Sequence, residues 1–115
     1  MNTEEYLIKV NKTPETLEFN ELMDLIESEY VFTPSAFKNG QLENAENENL
    51  GSCKLFSFAK LHDLTPSQTL ACFGTYYRDD VLKNPNGDDH QNIRNFMQTA
   101  WDGIEFSQSA IAYKE

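Results

Sequence analysis

Cys53 is the side chain best placed for chemistry in this sequence of 115 residues. It follows Gly51 and Ser52 and opens an apolar stretch, so we expect it in the first turn of a helix. The positive end of the helix dipole favours a thiolate at that position and lowers the pKa of the thiol. Cys53 is therefore a candidate nucleophile, and the alternative is a small thiol packed in the core.

Two histidines are candidates for the base that a cysteine nucleophile needs. His90 precedes an amphipathic stretch, where Asp88 or Asp89 would orient its ring or raise its pKa. His62 follows the Cys53 segment, and its alternative role is to interact with the dipole at a helix C-terminus. For His90 the alternative is a capping or buried structural role. If the protein is an enzyme, these residues predict a thiol-dependent hydrolase or transferase.

A metal site is the third chemical hypothesis, and it rests on Asp88, Asp89 and His90. Carboxylates together with imidazole suit manganese, iron or zinc. Adjacent residues rarely converge on one ion, and the sequence lacks the His-x-x-x-His and Cys-x-x-Cys spacings. We therefore expect no metal and no cofactor.

Several polar side chains are candidates for a binding pocket. The planar guanidinium of Arg78 can clamp a carboxylate or phosphate, and its alternative is an ion pair with a neighbouring acid. The asparagines of residues 38–51 either line a polar pocket or form local turns that satisfy their own backbone. The candidate binding residues are Arg78, Asn39, Asn44, Asn49, Asp89 and Arg94.

The pattern of apolar residues predicts a mainly helical, single compact domain over residues 1–115. Threonine–proline pairs suit helix starts, because threonine caps and proline has no N–H to lose. Two acidic helices are expected within residues 1–30, a helical turn over 34–38, an Asn/Glu-rich loop over 38–51, and helices over 53–61, 66–82 and from Asp88 or Asp89 to Gly103. An α+β fold with one short two-stranded element, residues 30–32 paired with 104–106, is the alternative.

The charge of the chain restricts its partners. There are 19 acidic and 9 basic residues, for a net charge of −10. Residues 1–50 contribute −8 of it and residues 51–115 contribute −2. Phosphate neutralisation needs clustered lysine and arginine, so nucleic acid and anionic membrane surfaces are disfavoured as partners. A cationic partner would bind the N-terminal face.

The cellular compartment is predicted from what the sequence lacks. No apolar run approaches the ~18 residues of a membrane span. The N-terminal residues have neither the basic region nor the long apolar region of a secretory signal. Two cysteines do not make a disulfide framework, so we expect reduced thiols in a cytoplasmic protein.

Longer motifs resemble one known family, the HopJ family of type III effector proteins. The resemblance covers about residues 19–106. It rests on FTP (32–34), FKNG (37–40), NLGSCKLF (49–56), LH (61–62), QTLACFG (68–74), YYRDDVL (76–82), HQNIRNF (90–96) and WDGI (101–104).

This resemblance implies a small bacterial protein named after a secreted effector, with no established enzymatic activity. We therefore expect a binding or interaction protein whose partner is a protein or a small molecule, and a host protein if the chain is secreted. Secreted effectors usually begin with a serine-rich leader, whereas Ser28 is the single serine among residues 1–30. The N-terminus therefore does not support type III secretion.

Overall fold

Five α-helices and five short strands form the chain, in a computed structural model that describes residues 1–114. The α-helices are α1 (Thr3–Lys12), α2 (Phe19–Glu29), α3 (Leu50–Leu61), α4 (Pro66–Ala71) and α5 (Gln91–Thr99). Short 3-10 turns cover Pro14–Thr16 and Ala100–Gly103, and a π-helical turn covers Tyr76–Val81. The strands are β1 (Tyr30–Phe32), β2 (Phe37–Asn39), β3 (Leu42–Asn44), β4 (Ile104–Phe106) and β5 (Ile111–Tyr113). The chain is a compact α+β domain dominated by helices, which confirms the predicted fold class.

Capping boxes start helices α1, α2 and α4. The Glu5 amide donates to Asn2 Oδ1 at 2.8 Å, and the Asn2 amide donates to Glu5 Oε1 at 3.1 Å. Thr65 and Gln68 make the same reciprocal pair before α4. Each box satisfies two N–H groups that the helix itself leaves unpaired. The Thr65 cap was predicted from the sequence.

The strands form two small antiparallel sheets. Strand β1 pairs with β5, with Tyr30 opposite Tyr113, and β2 lies between β3 and β4. Residues 30–32 and 104–106 are thus both strands, but the predicted pairing between them is wrong. Aromatic contacts accompany the observed pairs, with ring centroids 5.3 Å apart for Phe37 and Phe106.

The segment 38–51, predicted as a loop, contains most of a hairpin formed by β2 and β3. Its turn uses Gly40 at φ +62°, a backbone conformation that favours glycine. The predicted helical turn over 34–38 is also wrong, because this part of the chain leads into β2. Burial of Asn39 and Asn44 is the reason that a hydrophilic stretch forms strands here.

Gly74 divides the helix that was predicted over residues 66–82. Its φ is +62°, and a Cβ there would lie 2.9 Å from the Glu18 Cα and from the Leu17 carbonyl oxygen. Helix α4 therefore ends at Ala71, and the chain resumes as the π-helical turn. The close approach holds the start of α2 against this turn.

Helix α3 lies at the centre of the core. The Phe56 ring contacts Phe37, Phe73, Phe96 and Trp101, with centroid distances between 5.0 and 6.4 Å. These residues belong to β2, the segment after α4, α5 and the turn that follows α5. One side chain thus joins elements that are far apart in sequence.

We predict that Phe56→Ala lowers the free energy of unfolding by about 3–5 kcal/mol, because it leaves a cavity inside this aromatic cluster. Urea denaturation measures the change. Leu82→Ala is the control, since Leu82 is exposed and its truncation should change stability by less than about 0.5 kcal/mol. Similar losses for the two variants would contradict the central role of Phe56.

Candidate functional site

Cys53 lies in the first turn of α3, as predicted, and its environment is that of the alternative, a small thiol packed in the core. The side chain is fully buried, and Sγ donates to the Ser35 carbonyl oxygen at 3.5 Å. Burial raises the pKa of the thiol, and the hydrogen bonds to Ser35 and Ser57 only partly offset this. The predicted lowering of the pKa is therefore wrong, because desolvation outweighs the helix dipole. The second cysteine, Cys72, is also buried, and burial raises the pKa of its thiol to about 11.

His62 lies at the far end of α3 from Cys53. His62 lies nine positions after Cys53, which corresponds to about 13.5 Å along the helix axis at about 1.5 Å per residue. His62 is therefore too distant to take a proton from the thiol. Its Nε2 lies 2.9 Å from the Tyr30 hydroxyl and 3.5 Å from the Tyr113 hydroxyl. Burial lowers its pKa. His62 is the residue that ends helix α3.

His90 occupies the position before α5 in a left-handed conformation, with φ 49° and ψ 49°. Its Nε2 lies 3.1 Å from Asp80 Oδ2 and 3.9 Å from Asp89 Oδ2. The ring also packs on Tyr76, with centroids 5.3 Å apart. Asp80 from the π-helical turn is thus the nearer carboxylate, whereas Asp88 and Asp89 were expected to orient the ring.

A buried network of asparagines lies beneath His90. Asn39 Nδ2 donates to the Asn92 carbonyl at 2.7 Å, and Asn92 Nδ2 donates to Asn44 Oδ1 at 3.0 Å. Asn49 Nδ2 donates to the same Asn44 oxygen at 2.6 Å. The network joins the β2–β3 hairpin to the starts of α3 and α5. Asn39, Asn44 and Asn49 were predicted from the sequence as pocket residues, and they meet here.

Arg78 and Arg94 both hold the backbone in place. Arg78 donates to the Leu17 carbonyl at 2.7 Å and to Glu18 Oε1 at 2.8 Å, the ion pair foreseen as its alternative role. Arg94 donates to Asp89 Oδ1 at 2.6 Å and to the carbonyls of Asp89 and Asn84. The hydrogen bond from Arg94 lowers the pKa of Asp89. These three predicted binding residues stabilise the chain around the site and do not line it.

A cleft of about 530 Å³ opens between the starts of α3 and α5, and we call it the His90 cleft. Phe19, Phe73 and Ile93 contribute to its apolar lining. Its polar lining consists of Asn49, Ser52, Tyr76, His90, Gln91 and Asn92. Among residues 1–114, no Asp, Glu, Lys or Arg lines this cleft, although the chain has a net charge of −10.

Both helices that border the cleft begin without a side-chain cap. Asn49 and His90 occupy the capping positions, but their side chains bond to Asn44 and Asp80 instead. Within residues 1–114, the first-turn N–H groups at 50–52 and 91–93 make no hydrogen bond. Unpaired N–H groups carry the positive partial charge of a helix start, so hydrogen-bond donors border the cleft from two sides.

The metal hypothesis finds no support in the arrangement of ligands. In the part of the chain that the structure describes, no three His, Cys, Asp or Glu side chains are grouped to hold an ion. Asp89 is paired with Arg94, which uses the carboxylate that a metal would need.

Sequence reasoning missed Asn92, Tyr76 and Ser52 as members of the site. Asn92 had a usable signal, since it lies four residues before Phe96 and therefore on the buried face of α5. Tyr76 had none, because the break at Gly74 decides where this tyrosine points.

Comparison with known proteins places the chain in a family. The family model described as HopJ type III effector protein matches residues 3–111. The chain belongs to the HopJ family. A crystal structure of a protein of unknown function, VPA0580, is similar to this HopJ member with a TM-score of 0.97 and 51% sequence identity, covering 99% of this chain and 95% of that chain. A search of curated proteins found no match to this chain.

The family match extends beyond the resemblance over 19–106 and takes in helix α1. Within residues 1–114, no helix has both the length and the apolar character needed to cross a membrane.

We predict slow alkylation of Cys53 in the folded protein. A raised pKa leaves less thiolate at neutral pH, and the buried Sγ is shielded from reagent. Iodoacetamide labelling followed by peptide mass spectrometry measures the rate at Cys53, with the urea-unfolded chain as the reference. Labelling of the folded protein as fast as that of the unfolded chain would contradict the buried thiol.

Asn92→Ala should lower the free energy of unfolding by about 1–3 kcal/mol, because it removes the buried hydrogen bonds that the Asn92 side chain makes with the amide groups of Asn39 and Asn44. Asn95→Ala is the control in the same helix, since the Asn95 side chain makes no hydrogen bond within residues 1–114. Urea denaturation compares the two. Equal stabilities would show that the network contributes little.

Proposed function

We propose that this HopJ family member is a binding protein whose ligand lies in the His90 cleft. The observation that carries the proposal is the convergence of Asn49, Ser52, Tyr76 and His90 on one cleft with an apolar floor. These side chains come from three separate segments of the chain. A cleft with an apolar lining and a few convergent polar groups is the usual form of a small-molecule site.

The chemistry of the lining favours a small polar ligand that offers hydrogen-bond acceptors, a carboxylate being the simplest. The first-turn N–H groups of α3 and α5 supply donors. His90 Nδ1 makes no hydrogen bond within residues 1–114 and is available to a ligand. No acidic side chain is part of the described lining, and the carboxylates nearest to it, those of Asp80 and Asp89, are paired with His90 and Arg94.

The thiol-dependent enzyme has less support. Cys53 is buried and holds its proton, and His62 is a helix length away. Ser52, one residue earlier, reaches the cleft, whereas Cys53 does not line it.

Export through a type III system, which the family description implies, stays a prediction for this chain. Residence in the bacterial cytoplasm and the identity of a protein partner, including a host protein, also stay predictions. The binding proposal is independent of them.

The proposal is tested by titrating the ¹⁵N-labelled protein with acetate, succinate, glutamate and citrate while recording backbone amide spectra. We expect saturable shifts at residues 50–53 and 90–93 for at least one of these carboxylates. His90→Asn should weaken that binding, and asparagine tolerates the left-handed backbone at this position.

His62→Asn is the matched control, because it makes the same substitution at the histidine outside the cleft. It should leave the affinity unchanged. Saturable shifts confined to another surface, no saturable shift for any of the four compounds, or equal loss in both variants would overturn the proposal.

A further inference from the structure

A second concave surface lies on the outer face of the three-stranded sheet, and we call it the sheet groove. It has a volume of about 620 Å³ and shares no lining residue with the His90 cleft. Side chains alternate between the faces of a strand, so Ala36 and Lys38 of the β2 segment lie on the same face. The Ser107 amide donates to the Ala36 carbonyl at 3.0 Å, which continues the pairing of β2 with β4.

The groove exists because the strand segments carry small side chains next to a charged row. Register places Glu43, Lys38 and Glu105 side by side across β3, β2 and β4. One row further along, the corresponding positions are Ala45, Ala36 and Ser107. The step from long to short side chains leaves a hollow over the centre of the sheet.

Carboxylates border this hollow on both sides. Glu43 and Glu48 lie on the β3 side and Glu105 on the β4 side. Lys38 is the basic residue of the described lining, and its Nζ is 3.8 Å from Glu43 Oε1. Glu48 accepts the Ala45 N–H at 2.8 Å through one oxygen, so its other oxygen is available. The lining thus carries an excess of negative charge.

Phe37 and Phe106 point to the face of the sheet opposite Lys38, because side chains alternate along a strand. Phe106 is half-buried and packs on Phe37, with ring centroids 5.3 Å apart. Lys60 Nζ lies 5.7 Å from the centroid of the Phe106 ring, so this ring already interacts with an ammonium group.

We propose that the sheet groove docks a segment of a partner protein in which an apolar side chain is flanked by lysine or arginine. The apolar side chain fills the hollow, and the flanking cations pair with Glu43 and Glu48 on one side and Glu105 on the other. Strands β3 and β4 are separated by about 10 Å, two strand spacings. That span matches side chains about three residues apart in an extended peptide.

Charge complementarity decides the occupant. A second copy of this chain would bring a net charge of −10 to a negative surface and be repelled. A basic segment is attracted by the field of the whole molecule and then by the lining. The acidic N-terminal face was expected to attract a cationic partner, whereas the groove adds an apolar hollow to the charge.

The test uses a fluorescein-labelled peptide, Lys-Lys-Phe-Lys-Lys, and fluorescence anisotropy with the full-length protein. We expect binding that weakens with added salt. The triple variant Glu43→Gln, Glu48→Gln, Glu105→Gln should weaken it about ten-fold, since exposed ion pairs each contribute modestly. Replacing the same number of acids elsewhere, with Glu4→Gln, Glu15→Gln and Asp24→Asn, should weaken it much less.

The hollow is tested separately. Ala36→Leu should abolish the preference for Lys-Lys-Phe-Lys-Lys over Lys-Lys-Ser-Lys-Lys, because leucine occupies the space of the phenylalanine. Circular dichroism checks that every variant is folded. If the Ala36→Leu variant is not folded, Ala45→Leu on the exposed β3 side replaces it, because this leucine fills the same hollow. Equal weakening by the two triple variants, no preference for phenylalanine, or equal displacement by spermidine would overturn the proposal. These results do not depend on the His90 cleft.

Discussion

Helix α3 buries Cys53, Leu55, Phe56, Ser57, Phe58 and Ala59, whose side chains point in all directions around its axis. A helix that is apolar on every side must be covered on every side. Phe56 packs on β2 and α5, whereas Phe58 packs on Tyr6 of α1 and Tyr30 of β1. Much of the arrangement of the other elements follows from this requirement, since α1, α2, α4, α5, β1, β2 and β5 each cover part of this central helix.

Covering the sides of α3 leaves its two ends near the surface, and the ends differ. At the C-terminal end, His62 is held by the Tyr30 hydroxyl. At the N-terminal end, the asparagine network bonds Asn49, the residue before α3, to Asn44 of β3. The side chains of Asn49 and His90 form hydrogen bonds with Asn44 and Asp80, so they do not cap α3 and α5. The hydrogen bonds of this network link the hairpin, α3 and α5, so these three elements are positioned together.

The two proposed surfaces differ in charge for a structural reason. The His90 cleft is bordered by helix starts and neutral polar side chains. The sheet groove is bordered by acids of the exposed hairpin and of β4. The acidic character of the molecule is therefore not uniform: one surface favours hydrogen-bond acceptors and the other favours cations. The first 50 residues hold most of the net charge, but Glu105 from the second half completes the groove.

Much of the fold is determined by the sequence itself. The helix starts at threonine–proline pairs, the amphipathic character of α5 and the apolar stretch that forms α3 are local patterns, and the sequence alone predicts each of them. The tertiary structure decided the rest. Strand β1 pairs with β5, and the predicted helix is interrupted at Gly74, where the backbone contacts Leu17 and Glu18. The side chains of Asn39, Asn44 and Asn92 form one hydrogen-bonded network. The tertiary structure also raised the pKa of Cys53, against the local prediction. The reason is that burial and hydrogen bonding depend on residues far apart in the chain, whereas periodicity and capping depend only on near neighbours.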